Sequence, residues 1–182
     1  YLFVTFNSAA VLPAAFSALA KAEVLAKNAT PREQRHVAAL RHLLDGAPHK
    51  ACACWDELVA AHPHDIVALR MHHYTCFWSG YRQQLLSTPA AVLSAWDKTI
   101  PHYGNLMGMV AFGLEELGLY SVAERYGREA TAQNPNDLWA VHAVAHVMEM
   151  QQRSKDGIGW LDYSFDHFRD FNPFRGHIWW HK

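Results

Sequence analysis

The stretch LMGMVAFGLEELGLYSVAERYGREATAQNPND, Leu106 to Asp137, decides the fold. It reads as one helical hairpin. A first helix covers about Leu106 to Leu117, and Gly118 ends it, because glycine adopts the left-handed conformation at little cost. A second helix covers about Ser121 to Gln133. Ala123 and Ala130 are small residues that let two helices cross closely. NPND then punctuates the chain, and Asn136 or Asp137 is placed to cap the next helix.

Working outward, Pro63, Pro101, Pro135 and Pro173 succeed one another at spacings of 38, 34 and 38 residues. This is near the period of a helix-turn-helix repeat. Upstream, Thr30-Pro31-Arg32-Glu33 is a capping-box start for a helix running to about Leu44, which Asp45-Gly46 breaks. A partner helix covers about Lys50 to Ala61, with Ala51 at the crossing position. His62-Pro63 stops it, and Asp65 caps the next helix. The middle unit has Ile66 to Trp78 as a helix ending near Ser79-Gly80. Thr88-Pro89 reads as a second cap-and-proline start, with Ala90 to Thr99 helical until Pro101. In the last full unit Leu138 to about Gln152 pairs with Lys155 to Phe168, and Asn172-Pro173 opens a fifth first helix. No run alternates with period two for long enough to argue a sheet. The expected class is therefore all-α, a right-handed α-solenoid of antiparallel helical hairpins. Its expected segments are an N-terminal helical piece, 1–29, and repeats over 30–63, 64–101, 102–135 and 136–173, with a fifth starting at 173.

Composition narrows the function. The chain has 182 residues, 51% of them hydrophobic, enough for a well-buried core. Sixteen basic residues against 17 acidic ones leave no field for nucleic acid or an anionic membrane surface. Cys52, Cys54 and Cys76 are an odd number and a poor disulfide framework, which points to a reducing, cytoplasmic setting. Cys52 and Cys54 read as small core or near-core residues, since the two point to different faces of a helix. The start, YLFVTFNSAAVLPAAFSALAKAE, is apolar but has no basic leader. It contains Asn7 and Pro13, and no uninterrupted run long enough to span a bilayer is expected. The NAT triplet at Asn28 to Thr30 reads as the cap of the next helix rather than a glycosylation site. Arg41, Asp45, Glu57 and Asp65 read as solvated-face residues. There is no Gly-rich phosphate loop, nucleophile elbow or haem-attachment CxxCH.

The histidines stand out, 13 in all. His142, His146 and Glu149 in WAVHAVAHVMEM share one helical stripe, because three and four residues separate them. His177 and His181 in GHIWWH form a second stripe on the next first helix. If the two stripes face each other, two imidazole pairs and a carboxylate suit zinc or iron. Ala143 stands where a zincin has its water-activating Glu, and no Glu-x-x-His pair occurs here. If the centre is an enzyme's, His146 and Glu149 are its catalytic candidates. The competing interpretation is a His–Glu hydrogen-bond network that fixes the stacking of two repeats. His36, His72, His73, Trp78, Trp139 and Trp180 are candidates to line a concave groove.

The spacings resemble the tetratricopeptide repeat, with Gly118, Tyr120, Ala123, Ala130 and Pro135 near its preferred positions. TPREQRHVAAL, PHKACACWDELVAAHPHDIVAL, WAVHAVAHVMEM and GHIWWH resemble the tetratricopeptide repeat protein 38 family over about Pro31 to His181. That resemblance implies a longer protein with further helices on both sides. It brings no catalytic residue, and the five positions His142, His146, Glu149, His177 and His181 match the family's residue types. Two functions are thus expected. One is a scaffold holding a peptide or protein in a concave groove, with no cofactor. The other is a metal-dependent enzyme or a metal- or cofactor-binding protein with a His-rich site, whose ligand would be a small molecule. Neither implies nucleic acid or a membrane.

Overall fold

The structure is a computed structural model that describes residues 1, 8–165 and 174–182. The described residues are all-helical, and no strand occurs among them. A short 3-10 turn, Ala9–Val11, leads into α1 (Leu12–Ala26), α2 (Pro31–Leu44), α3 (Pro48–Ala61) and α4 (Ile66–Ser79). Next come α5 (Arg82–Val92), α6 (Tyr103–Glu116), α7 (Tyr120–Gln133), α8 (Leu138–Met150), α9 (Ser154–Phe165) and α10 (Arg175–Trp180). The chain divides into two compact units, Tyr1–Gly80 and Tyr81–Lys182. The division falls inside 64–101, the segment that reads from the sequence as a single repeat.

In the first unit α1, α2, α3 and α4 pack in chain order. The Thr30 capping box starts α2: Glu33 N–H donates to the Thr30 hydroxyl, and Thr30 N–H donates to the Glu33 carboxylate at 2.9 Å. Gly46 and Gly80, both at positive φ, end α2 and α4 in the left-handed conformation. Asp65 caps α4 by accepting from Ala68 N–H at 3.0 Å. The same buried carboxylate reaches back to α2, taking Arg32 Nε at 2.6 Å and His36 Nε2 at 2.9 Å. Burial pushes the Asp65 carboxyl up. Arg32, the Ala68 N–H and His36 together outweigh that and hold it below the usual carboxylate range.

In the second unit α6 is the central helix, packed against α5, α7 and α8. Ten consecutive residues of it, Leu106 to Glu115, are buried. Asp137 repeats the role of Asp65: it caps α8 through Trp139 and Ala140 N–H and accepts from Asn105 of α6 at 2.9 Å. Ala123 and Ala130 on α7 are fully buried, as the crossing positions require. A Cβ on Gly113 of α6 would fall 2.8 Å from the Leu85 carbonyl oxygen and from Leu86 Cα on α5. That contact is possible only for glycine.

Three expectations need correction. Pro89 does not open a helix; it lies inside α5, which begins at Arg82. The helix is already underway when Pro89 arrives, so the proline costs it one backbone bond without starting a new element. The chain then makes only a 3-10 turn, Leu93–Ala95, and is extended at Trp96, so no helix reaches Thr99. At the N-terminus, Ala9–Ala26 is helical over 18 residues with mean hydropathy 1.5, long and apolar enough to cross a membrane by length and composition. Pro13 does not interrupt it, because it stands in the first turn, where its missing N–H is not needed. The segment around Asn172-Pro173 and the end of the partner helix at Phe168 lie outside the described residues.

Two substitutions separate close packing from helix propensity. Gly113→Ala should destabilise the protein by about 1–3 kcal/mol, because backbone on α5 cannot move aside as a side chain would. Gly159→Ala, with nothing within 4 Å of the new methyl, should instead stabilise α9 by about 0.5–1 kcal/mol. Urea denaturation midpoints read both. Asp65→Asn keeps a capping oxygen but should cost about 1–3 kcal/mol at neutral pH through the lost charge facing Arg32 and His36. The stabilisation from Asp65 is present above its unfolded pKa of about 3.9 and is lost as pH falls through the lower folded value. The difference in midpoint between wild type and variant should therefore shrink in acid.

Candidate metal centre

Four imidazoles meet in the second unit. His142 and His146 stand one turn apart on α8. His177 lies in the last turn of α10, and His181 is its C-cap. The two helices are brought together by Ile178, fully buried against Leu138, Val141 and Ala145 of α8 and Leu161 of α9. Trp160 secures α9 to the same helix by donating its indole N–H to the Val141 carbonyl at 3.0 Å. Phe112 of α6 stacks on the His142 ring at 5.5 Å between centroids, and Trp139 and Phe174 close the apolar wall around it.

The Nε2 atoms point at one another. His142 Nε2 is 3.0 Å from His177 Nε2 and 3.1 Å from His181 Nε2. His181 Nε2 is 3.1 Å from His177 Nε2 and 3.3 Å from His146 Nε2. One ligand nitrogen from each of the four lies within 4.8 Å of all the others. Metal–nitrogen bonds of about 2.0–2.1 Å would separate adjacent ligand nitrogens by about 2.8–3.4 Å, from octahedral to tetrahedral arrangements.

Protons alone do not satisfy this geometry. His142, His177 and His181 form a triangle of mutual Nε2 contacts. An imidazole nitrogen offers either an N–H or a lone pair. With three atoms and two states, at least two are alike, so at least one side of the triangle is repulsive. A single cation accepting three lone pairs removes the conflict.

The outer ring nitrogens favour that arrangement. Glu149 sits 3.1 Å from His181 Nδ1. A carboxylate only accepts, so it holds the proton on Nδ1 and leaves the Nε2 lone pair of neutral His181 facing inward. Glu115, at the buried end of α6, lies 3.6 Å from His146 Nδ1, and its Oε2 has no hydrogen-bond partner. His142 Nδ1 is likewise buried without one. Burial, then the neighbouring His146, His181 and His177, holds His142 far below the usual imidazole range. Burial and then His146 lower His177. The same two causes lower His181 and prevail over the opposing pull of Glu149. Three of the imidazoles are therefore held in the neutral form that ligates metals.

The sequence candidates are thus distributed unevenly. His142, His146, His177 and His181 converge. Glu149 lies on the Nδ1 edge of the His181 ring, opposite the Nε2 that faces the other three imidazoles, and is outside their cluster. Trp139 and Trp180 border the centre, Trp180 stacking beside His177. The other groove candidates belong to the first unit. His36 is bound to Asp65 and to the Tyr1 hydroxyl. His72 and His73 are completely buried, out of reach of an incoming peptide, and Trp78 is exposed. Sequence reasoning missed Glu115; its only signal was a charge at the end of an otherwise apolar helix.

No protein-family model matches the chain, and no solved structure matches it.

Glu115→Gln is expected to weaken divalent-cation affinity roughly 10–100-fold, as loss of an outer carboxylate does elsewhere. Competition against a chromophoric chelator measures it. Unchanged affinity would remove Glu115 from the centre.

Proposed function

We propose that the chain is a metal-binding helical-repeat protein whose four imidazoles hold one zinc or iron ion. The observation that carries this reading is the triangle of Nε2 atoms at 3.0–3.1 Å, which a single cation satisfies and protons do not. Helix α10 is six residues long and buries one side chain, Ile178. A helix that short does not sustain itself. Ligation through His177 and His181 would couple its order to the ion. The metal would then be a clip joining α10 to α8.

The surrounding architecture we take to be a right-handed, tetratricopeptide-like solenoid of antiparallel hairpins, of the kind found in the tetratricopeptide repeat protein 38 family. The proline rhythm and the recurrence of a proline two residues before each capping aspartate, at Pro63/Asp65 and Pro135/Asp137, support it. Free thiols at Cys52, Cys54 and Cys76 support a cytoplasmic setting. A second function, docking of a protein or peptide, is favoured by Trp179 and Trp180, which are 51% and 75% exposed beside the centre. Exposed indoles are effective anchors. No catalytic role falls to His146 or Glu149 in this reading.

Elemental analysis on protein purified without a polyhistidine tag or chelator tests the metal. Both His142→Ala and His177→Ala should hold one equivalent of zinc or iron per chain fewer than wild type, with helix content unchanged outside the six residues of α10. His177 is exposed, so its variant avoids a core defect. Equal metal content in wild type and both variants would overturn the reading.

A further inference from the structure

A second cluster of metal-ligating side chains lies in the first unit. It is built by the same device as the four-imidazole centre: one pair a helical turn apart on each of two packed helices. Helix α3 carries Cys52 and Asp56, and α4 carries His72 and Cys76. Cys52, His72 and Cys76 are all buried, His72 and Cys76 completely. The two sulfurs are 3.7 Å apart, and Cys76 Sγ lies 3.6 Å from His72 Nδ1 and 3.7 Å from His72 Nε2. His72 Nε2 is also 3.2 Å from Asp56 Oδ1.

The sulfur–sulfur and sulfur–Nδ1 distances are those of a coordination polyhedron, and a turn of the His72 ring would aim the Nδ1 lone pair at its centre. Zinc–sulfur bonds of about 2.3 Å put two thiolates of a tetrahedron about 3.8 Å apart, and a zinc-bound nitrogen about 3.6 Å from either. A disulfide would need the sulfurs at about 2.0 Å, and both cysteines are free thiols. Ordinary core packing accounts for buried cysteines taken singly. It does not account for two sulfurs and an imidazole nitrogen gathered within 4.8 Å, with a carboxylate 3.2 Å from one nitrogen of the same ring. That last feature is the carboxylate–histidine–metal arrangement, in which the acid fixes the ring's tautomer and direction.

We propose that Cys52, Cys76 and His72, through Nδ1, form a second metal site, selective for a thiophilic cation, zinc above all. Asp56 is its positioning residue. Both thiols release their protons to solvent on binding, so two thiolates neutralise a divalent ion. The fourth position is left to a non-protein ligand. Two sulfurs make the site softer than the four-imidazole centre and give it a different selectivity. Cys54 takes no part. The thiolate site stands whether or not the four imidazoles bind an ion, and the two centres give different signals.

Cobalt(II) is the probe, titrated anaerobically into the reduced 182-residue protein. The Cys52–Cys76 site should produce a thiolate-to-cobalt charge-transfer band in the near ultraviolet, which a centre made only of imidazoles does not give. The band should persist in His142→Ala and Cys54→Ser and vanish in Cys76→Ser. Asp56→Asn should keep it but weaken affinity about 10–100-fold. Should Cys76→Ser fail to fold, X-ray absorption on His142→Ala carrying one equivalent of zinc decides: two sulfurs at about 2.3 Å are expected around the ion. Absence of the band in folded, reduced wild type would overturn the proposal. So would a zinc shell of nitrogen and oxygen alone, or a band lost in Cys54→Ser.

Discussion

The position of α8 depends on how closely α6 approaches it. At Gly108 a Cβ would lie 3.1 Å from Ala140 Cβ and 3.2 Å from Asp137 Oδ2. Asp137 meanwhile caps α8 and accepts from Asn105 of α6. Glycine allows the approach, and the carboxylate fixes the register along it. With register fixed, Phe112 comes to lie against His142, and Glu115 comes to face His146. Both are on α6, three residues apart. Removing the close approach would therefore disturb the packing of the second unit and the surroundings of two of the four imidazoles together.

Protons and lone pairs set the balance at the centre. Hydrophobic packing through Ile178 brings α10 to α8, but it also forces polar nitrogens to face each other out of water. An unmatched buried polar contact costs on the order of 1–3 kcal/mol. The unpartnered Nδ1 of His142 and Oε2 of Glu115 add to that cost. A cation at the convergence point reverses the balance. It would turn repulsive lone pairs into ligand bonds and supply positive charge near two carboxylates, Glu115 and Glu149. Under the proposed function the order of α10, a segment too short to hold itself, would then rest on the ion.

Much of this was legible in the sequence, and the reasons are local. Thr30–Glu33, Asp65, Gly46, Gly80 and Gly118 are start and stop signals whose chemistry acts within a few residues. The helix boundaries near them come out within a turn. Histidines four apart also declare a shared helical face. Pro89 misled because a proline in a first turn and a proline late in a helix leave the same local signature. Long-range partners were not legible. Cys52 and Cys76 meet only because α3 packs on α4, and Cys52 considered alone is a plausible core residue. His72 reads from the sequence as facing a groove, since nothing local distinguishes a buried histidine from an exposed one. Glu115 becomes informative only when α6 and α8 are side by side.

Hydrogen exchange at the backbone of α10 tests the central claim most directly. The amides of Ile178, Trp179 and Trp180 are to be tracked in metal-free protein and after one equivalent of zinc is bound at the four imidazoles, with His177→Ala as reference. If the ion holds α10 to α8, zinc slows exchange there by roughly tenfold or more in wild type, the equivalent of about 1.4 kcal/mol, and leaves the variant unchanged. Equal protection with and without zinc, in protein shown to carry the ion, would mean that α10 is held by packing alone.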